Sequence, residues 1–173
     1  MNKKQTTFRC IIYIIEAVFL HVISQIPHFL PTVVGHKPNL LLALLITIVL
    51  FESNRICAIF GLVCGFLIDT NLDVFVGFHA ILLCILSYVF GAIYNSYLQR
   101  NFISYFVVSM LFISIFYHAQ FLFLYVFAGY GDVYYAYVFH YISCMLYCWL
   151  FSQIFYFFNS VLNSKLRKNY LSF

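Results

Sequence analysis

Six apolar runs, separated only by short polar breaks, leave this chain few ways to fold. They cover residues 8–26, 40–51, 56–68, 78–94, 102–128 and 133–158. The breaks are a loop with Pro27, Pro31, Gly35 and Pro38, then Glu52 to Arg55, Asp69 to Asn71, Asn95 to Asn101, and Gly129 to Asp132. Proline and glycine fall where helices should stop. Only 8% of the 173 residues are charged and 65% are apolar, against about 25% and 45–50% in soluble domains. A water-soluble domain, a disordered tail, a disulfide-stapled secreted module and a sizeable aqueous catalytic domain are thereby excluded.

Lipid is the solvent for such a composition. A hydrocarbon core of about 30 Å needs roughly 20 helical residues, and a sheet with open edges leaves backbone groups unpaired there. The runs also lack the alternation of a transmembrane barrel. The expected fold is an all-α integral membrane protein, a bundle of six transmembrane helices forming one domain over residues 1–173. With six crossings, Lys3, Lys4, Arg9, Arg55, Arg100, Lys165, Arg167 and Lys168 fall on one side and Lys37 alone on the other. Positive charge marks the cytoplasm, so both termini are expected inside, and Asp69, Asp73 and Asp132 outside. The first run follows Lys3, Lys4 and Arg9 as a signal peptide would. Glu16 interrupts it, however, and no small-x-small cleavage site follows, so it is expected to be retained as the first span.

The second and third runs are short, about 18 and 20 Å as helices. Either they cross a thinned bilayer or are extended by flanking residues, or they form a re-entrant hairpin. The six-span reading is preferred because a hairpin would strand Arg55 near the bilayer centre, at about 2.5 kcal/mol or more.

Few residues suggest chemistry. Cys10, Cys57, Cys64, Cys84, Cys144 and Cys148 all lie in or at apolar runs, which argues against a disulfide framework. Cys144 and Cys148 stand one helical turn apart but have no nearby histidine or acid to complete a metal site. The histidines at 28, 36, 79, 118 and 140 show no ligand spacing, and no phosphate-binding glycine loop occurs, so no metal or other cofactor is expected. The basic cluster Lys165, Arg167 and Lys168 fits topology or anionic lipid, with no nucleic acid implied. Tyr130, Tyr134 and Tyr135 suit an aromatic belt at the outer interface.

Three features leave alternatives open. Gly61 and Gly65 share one face of the third run with Cys57, Cys64 and Ile68, and Ala80, Cys84, Ser87 and Gly91 form a second small-residue stripe on the fourth. Small residues let backbones approach closely, either within the chain or in a groove for another protein's helix. Glu16 lies about 12 Å into the first span, so it is either protonated or faces a polar interior, as a structural group, a partner contact or a ligand site. Gly129-Tyr130-Gly131-Asp132 looks like the GxGD motif of intramembrane aspartyl proteases, but it falls in a turn and lacks that family's Tyr-Asp partner motif.

Residues 37–94 carry a more specific pattern. Pro38-Asn39 precedes leucines at the second run, Gly61 to Asp69 forms a glycine-containing third run ending in an acid, and Gly77-Phe78-His79-Ala80 opens the fourth. In this order they resemble the rod shape-determining protein MreD family. Asn39 replaces the family's usual acid, and Val76 stands where a proline often precedes the glycine. The resemblance implies a non-enzymatic membrane subunit of the cell-elongation machinery, with Pro38, Asn39, Asp69, Gly77 and His79 as family-motif positions. It also implies an MreC-type partner in the inner membrane and, indirectly, the MreB filament and the peptidoglycan synthases. The family in turn resembles the membrane substrate-binding subunits of energy-coupling factor transporters in fold, which keeps a vitamin-transport reading open.

Overall fold

The computed structural model describes residues 3–26, 39–70, 77–99 and 101–168, all helical apart from turns and caps. Pro38, Val76, Asp73, Arg100, His28 and His36 lie outside the described residues. The helices are α1 (Lys3–Gln25), α2 (Leu40–Phe51), α3 (Asn54–Asp69), α4 (Phe78–Tyr97), α5 (Phe102–Phe121), a single short turn α6 (Val133–Tyr135) and α7 (Ile142–Lys168). Helix α5 continues as a π-helical stretch over Leu122–Val126, and a second such stretch, Ala136–Tyr141, joins α6 to α7. The described residues thus make six rods, the expected number. The run expected over 102–128 is one rod whose last part, Leu122–Val126, takes the wider π turn, a form found mostly as local bulges within α-helices.

Four rods are long and apolar enough to cross a membrane: Thr6–Gln25, Phe78–Tyr97, Phe102–Val126 and Val133–Ser164. The twelve-residue α2 and sixteen-residue α3 are shorter, about 18 and 24 Å. Every residue of α2 from Leu40 to Leu50 is buried, because α1, α3, α4, α5 and α7 all pack on it. A helix apolar on all sides belongs in a core. Protein surrounds this short run on every side.

Glu52, just past the end of α2, meets Arg9 near the start of α1 and lies with Asn163 near the end of α7, so α2 runs from one end of the bundle to a level shared with both. Arg55, on the first turn of α3, is exposed at that same end.

Sequence explains the ends of these rods. Asn39 caps α2 by accepting from the Leu42 amide at 3.2 Å, a task that suits asparagine as well as aspartate. The open carbonyls at the other end of α2 receive the Cys57 thiol, 3.7 Å from the Glu52 oxygen, and the Asn95 amide at 3.3 Å. Gly77, at φ 101°, turns the chain into α4 in a left-handed conformation that favours glycine.

Candidate functional site

Helices α3 and α4 form the closest pair in the bundle, and small residues make that possible. A Cβ on Gly65 would stand 2.5 Å from the Ala80 Cα, and one on Gly61 would stand 2.5 Å from the Leu83 carbonyl oxygen and 2.7 Å from the Ser87 hydroxyl. On α4, Gly91 faces Cys57, whose sulfur would lie 3.2 Å from an added Cβ. Gly61, Gly65, Cys57, Ser87 and Gly91 therefore converge on one seam inside the chain. A docking groove for a foreign helix on this face is corrected: α4 already fills it, and two backbones in van der Waals contact leave no room for a third.

The seam closes at one end in a buried polar cluster. Asp69, the last residue of α3, receives the first turn of α4: its Oδ2 accepts from the Gly77 amide at 2.8 Å and the Ala80 amide at 3.3 Å, and its Oδ1 accepts from the His79 amide at 3.3 Å. The same Oδ1 lies 2.7 Å from Nδ1 of the His79 ring. A carboxylate here answers the unpaired amides and the positive end of the α4 dipole together. Asp69 and His79 are both buried, and the imidazole packs beside Phe78 and Phe116. The family-motif residues Asp69, Gly77 and His79 thus form one unit, while Asn39 caps α2 separately.

A second cluster lies at the opposite end. Arg9 Nε is 2.9 Å from Glu52 Oε1 and its Nη2 donates to Oε2 at 3.2 Å, so the guanidinium grips the carboxylate with two nitrogens. Its Nη1 donates to Asn163 at 3.2 Å, and the Asn163 amide donates to the Tyr13 hydroxyl at 3.1 Å. The ring edge of Tyr13 meets Phe60 of α3. One network therefore joins α1, the end of α2, and α7.

In the sequence Arg9 stands out only as a topological charge and Glu52 only as part of a polar break. A usable signal was present: six crossings put residues 9, 52 and 163 at one end, with Glu52 the sole acid near a group of basic residues.

Glu16 lies one turn further along α1, facing Asn159 of α7. Asn159 is fully buried. The GxGD residues sit apart in an exposed turn, where Gly129 and Asp132 adopt positive φ and the Tyr125 hydroxyl donates to the Gly131 carbonyl. Aspartyl chemistry needs two carboxyls sharing a proton. Asp69 is committed to the α4 amides and His79, and Asp132 is exposed, so these two do not form such a pair. The Cys148 thiol donates to the Asn39 carbonyl at 3.4 Å, tying α7 to the start of α2. Tyr130, Tyr134 and Tyr135 are exposed near the turn.

Among the described residues, an all-helical bundle with four rods apolar enough to cross a membrane and many large apolar side chains facing outward defines a helical membrane protein. A model of the rod shape-determining protein MreD family matches residues 4–161, nearly the whole chain. The chain belongs to that family, which gives it a role in rod shape determination. No match was found among curated proteins or solved structures.

Proposed function

We propose that this chain is a non-enzymatic subunit of the bacterial cell-elongation complex, which binds an MreC-type membrane protein and helps position peptidoglycan synthesis. The family match over residues 4–161 carries the reading. The described polar residues support it, since the Arg9–Glu52 and Asp69–His79 groups join helices to one another. The MreB filament and the peptidoglycan synthases are reached through the partner. With the seam between α3 and α4 filled, the partner helix docks on the outer, lipid-facing surface of the bundle.

The same reading places the protein in the inner membrane with six crossings and both termini in the cytoplasm, because the basic residues gather at the end that carries Arg9 and Arg55. Extraction of a tagged chain from membranes in mild detergent, followed by mass spectrometry, tests the partner. Recovery of an MreC-type protein is expected. A folded, well-expressed chain recovered without one contradicts the proposal.

Fold likeness to the substrate-binding subunits of energy-coupling factor transporters belongs to this reading as an architectural expectation. The half-buried Glu16 favours the rival in which a vitamin-like molecule binds. A rise in melting temperature with such a ligand would support the rival; no rise across a vitamin set, alongside a stable partner complex, removes it.

A further inference from the structure

The contact between Glu16 and Asn159 is incomplete in a way that specifies what completes it. Both carboxyl oxygens of Glu16 and both amide atoms of Asn159 are buried, and none reaches good hydrogen-bond geometry. The α1–α7 contact between Tyr13 and Asn163 sets their register: Glu16 stands about one turn along α1 from Tyr13, and Asn159 one turn along α7 from Asn163, whose amide also donates to the Asn159 carbonyl. Each lies in a rod apolar enough to cross a membrane, where an unpaired polar group costs several kcal/mol.

Donor counting decides between the two forms of the acid. An ionised carboxylate only accepts, and an amide brings donors on nitrogen but an acceptor on oxygen. The charged pair therefore leaves Asn159 Oδ1 and one carboxylate oxygen with no donor. A neutral acid removes the deficit: its hydroxyl donates to Asn159 Oδ1, and Asn159 Nδ2 donates back to its carbonyl oxygen. Two hydrogen bonds then close a ring.

The neighbouring charges do not favour ionisation. On α1, Arg9 is engaged by Glu52 and Asn163, Tyr13 accepts from Asn163, Cys10 is neutral, and His21 lies five residues on, about 140° around the helix. On α7, Asn159 and Asn163 carry no charge. Helix α2 carries no charge before Glu52, its one hydroxyl, Thr47, donating to the Leu44 carbonyl, and α3 presents Phe60 to this region. We propose that Glu16 binds a proton within the membrane and pairs, as a neutral acid, with Asn159, forming a clasp that holds α1 to α7.

Infrared spectra of the protein in lipid nanodiscs at neutral pH test this. Wild type is expected to show a carboxylic-acid carbonyl band that is missing in Glu16→Gln. Identical carbonyl regions in the two proteins overturn the proposal. Asn159→Leu keeps the acid and removes its partner, so the band is expected to move to higher frequency there; an unmoved band overturns the clasp. If Glu16→Gln cannot be purified, the wild-type and Asn159→Leu spectra decide alone. As an isostere of the neutral acid, Glu16→Gln is expected to melt within a few degrees of wild type, whereas a collapse to the level of Asn159→Leu counts against the proton.

Discussion

Arg9 and Glu52, 43 residues apart in sequence, meet through two nitrogen–oxygen contacts of 2.9 and 3.2 Å at one end of the bundle. The Glu52 side chain is completely buried and that of Arg9 is 13% exposed, so each needs the other. Their pairing fixes where α1 lies against the end of α2, and Asn163 extends the bond to α7.

Removal of one partner should be worse than removal of both. Arg9→Leu strands a buried carboxylate and is expected to cost about 3–5 kcal/mol, while the double replacement Arg9→Leu with Glu52→Leu recovers much of the loss. Thermal unfolding of the four proteins in detergent gives the cycle. A double variant as weak as Arg9→Leu would show that the pair is not the reason for the loss.

The seam between α3 and α4 makes a graded prediction about glycine. Gly65→Ala and Gly61→Ala drive a methyl group into backbone atoms 2.5 Å away and are expected to cost at least about 1–3 kcal/mol each. Gly91→Ala meets the Cys57 side chain at 3.2 Å, which shifts more easily, so its cost should be smaller. Melting temperatures of the three variants check the order. Equal tolerance at all three positions would mean that α3 and α4 do not approach this closely.

At the other end of that seam, Asp69→Ala deprives three amides and an imidazole of their acceptor. A loss of about 1–3 kcal/mol or more is expected, with Asp69→Asn milder because it keeps one acceptor oxygen. Hydrogen exchange should localise the damage: the Gly77, His79 and Ala80 amides lose protection while the middle of α4 does not.

Asn39 provides a smaller test. Asn39→Asp keeps the cap on α2 and should match wild type, whereas Asn39→Ala is expected to cost about 1 kcal/mol. Thermal melts resolve the two, and a cap with no role leaves all three proteins alike.

Length and hydropathy made the rods legible, because a bilayer fixes how long an apolar helix must be. The bounds of the second run, 40–51, coincide with α2, and the fourth run opens at Phe78 as α4 does. Less legible was that protein surrounds α2, since hydropathy does not distinguish a helix wrapped by protein from one wrapped by lipid. The small-residue faces showed that a close approach would occur but not with what; only the fold shows that Gly65 meets Ala80. The pairings of Arg9 with Glu52 and of Glu16 with Asn159 join residues far apart in sequence, and local pattern carries no information about such contacts. Asp69 and His79 stood out through the family resemblance, whereas their shared role at the start of α4 follows from geometry alone.

Service to cell shape through protein contacts is what we propose for this bundle. Depletion of the chain in its own bacterium, followed by microscopy of cell width and length, tests that most directly. The expected result is loss of controlled elongation with widening cells, restored by the wild-type chain and not by Arg9→Leu. Depleted cells that keep their normal width and elongation would contradict it.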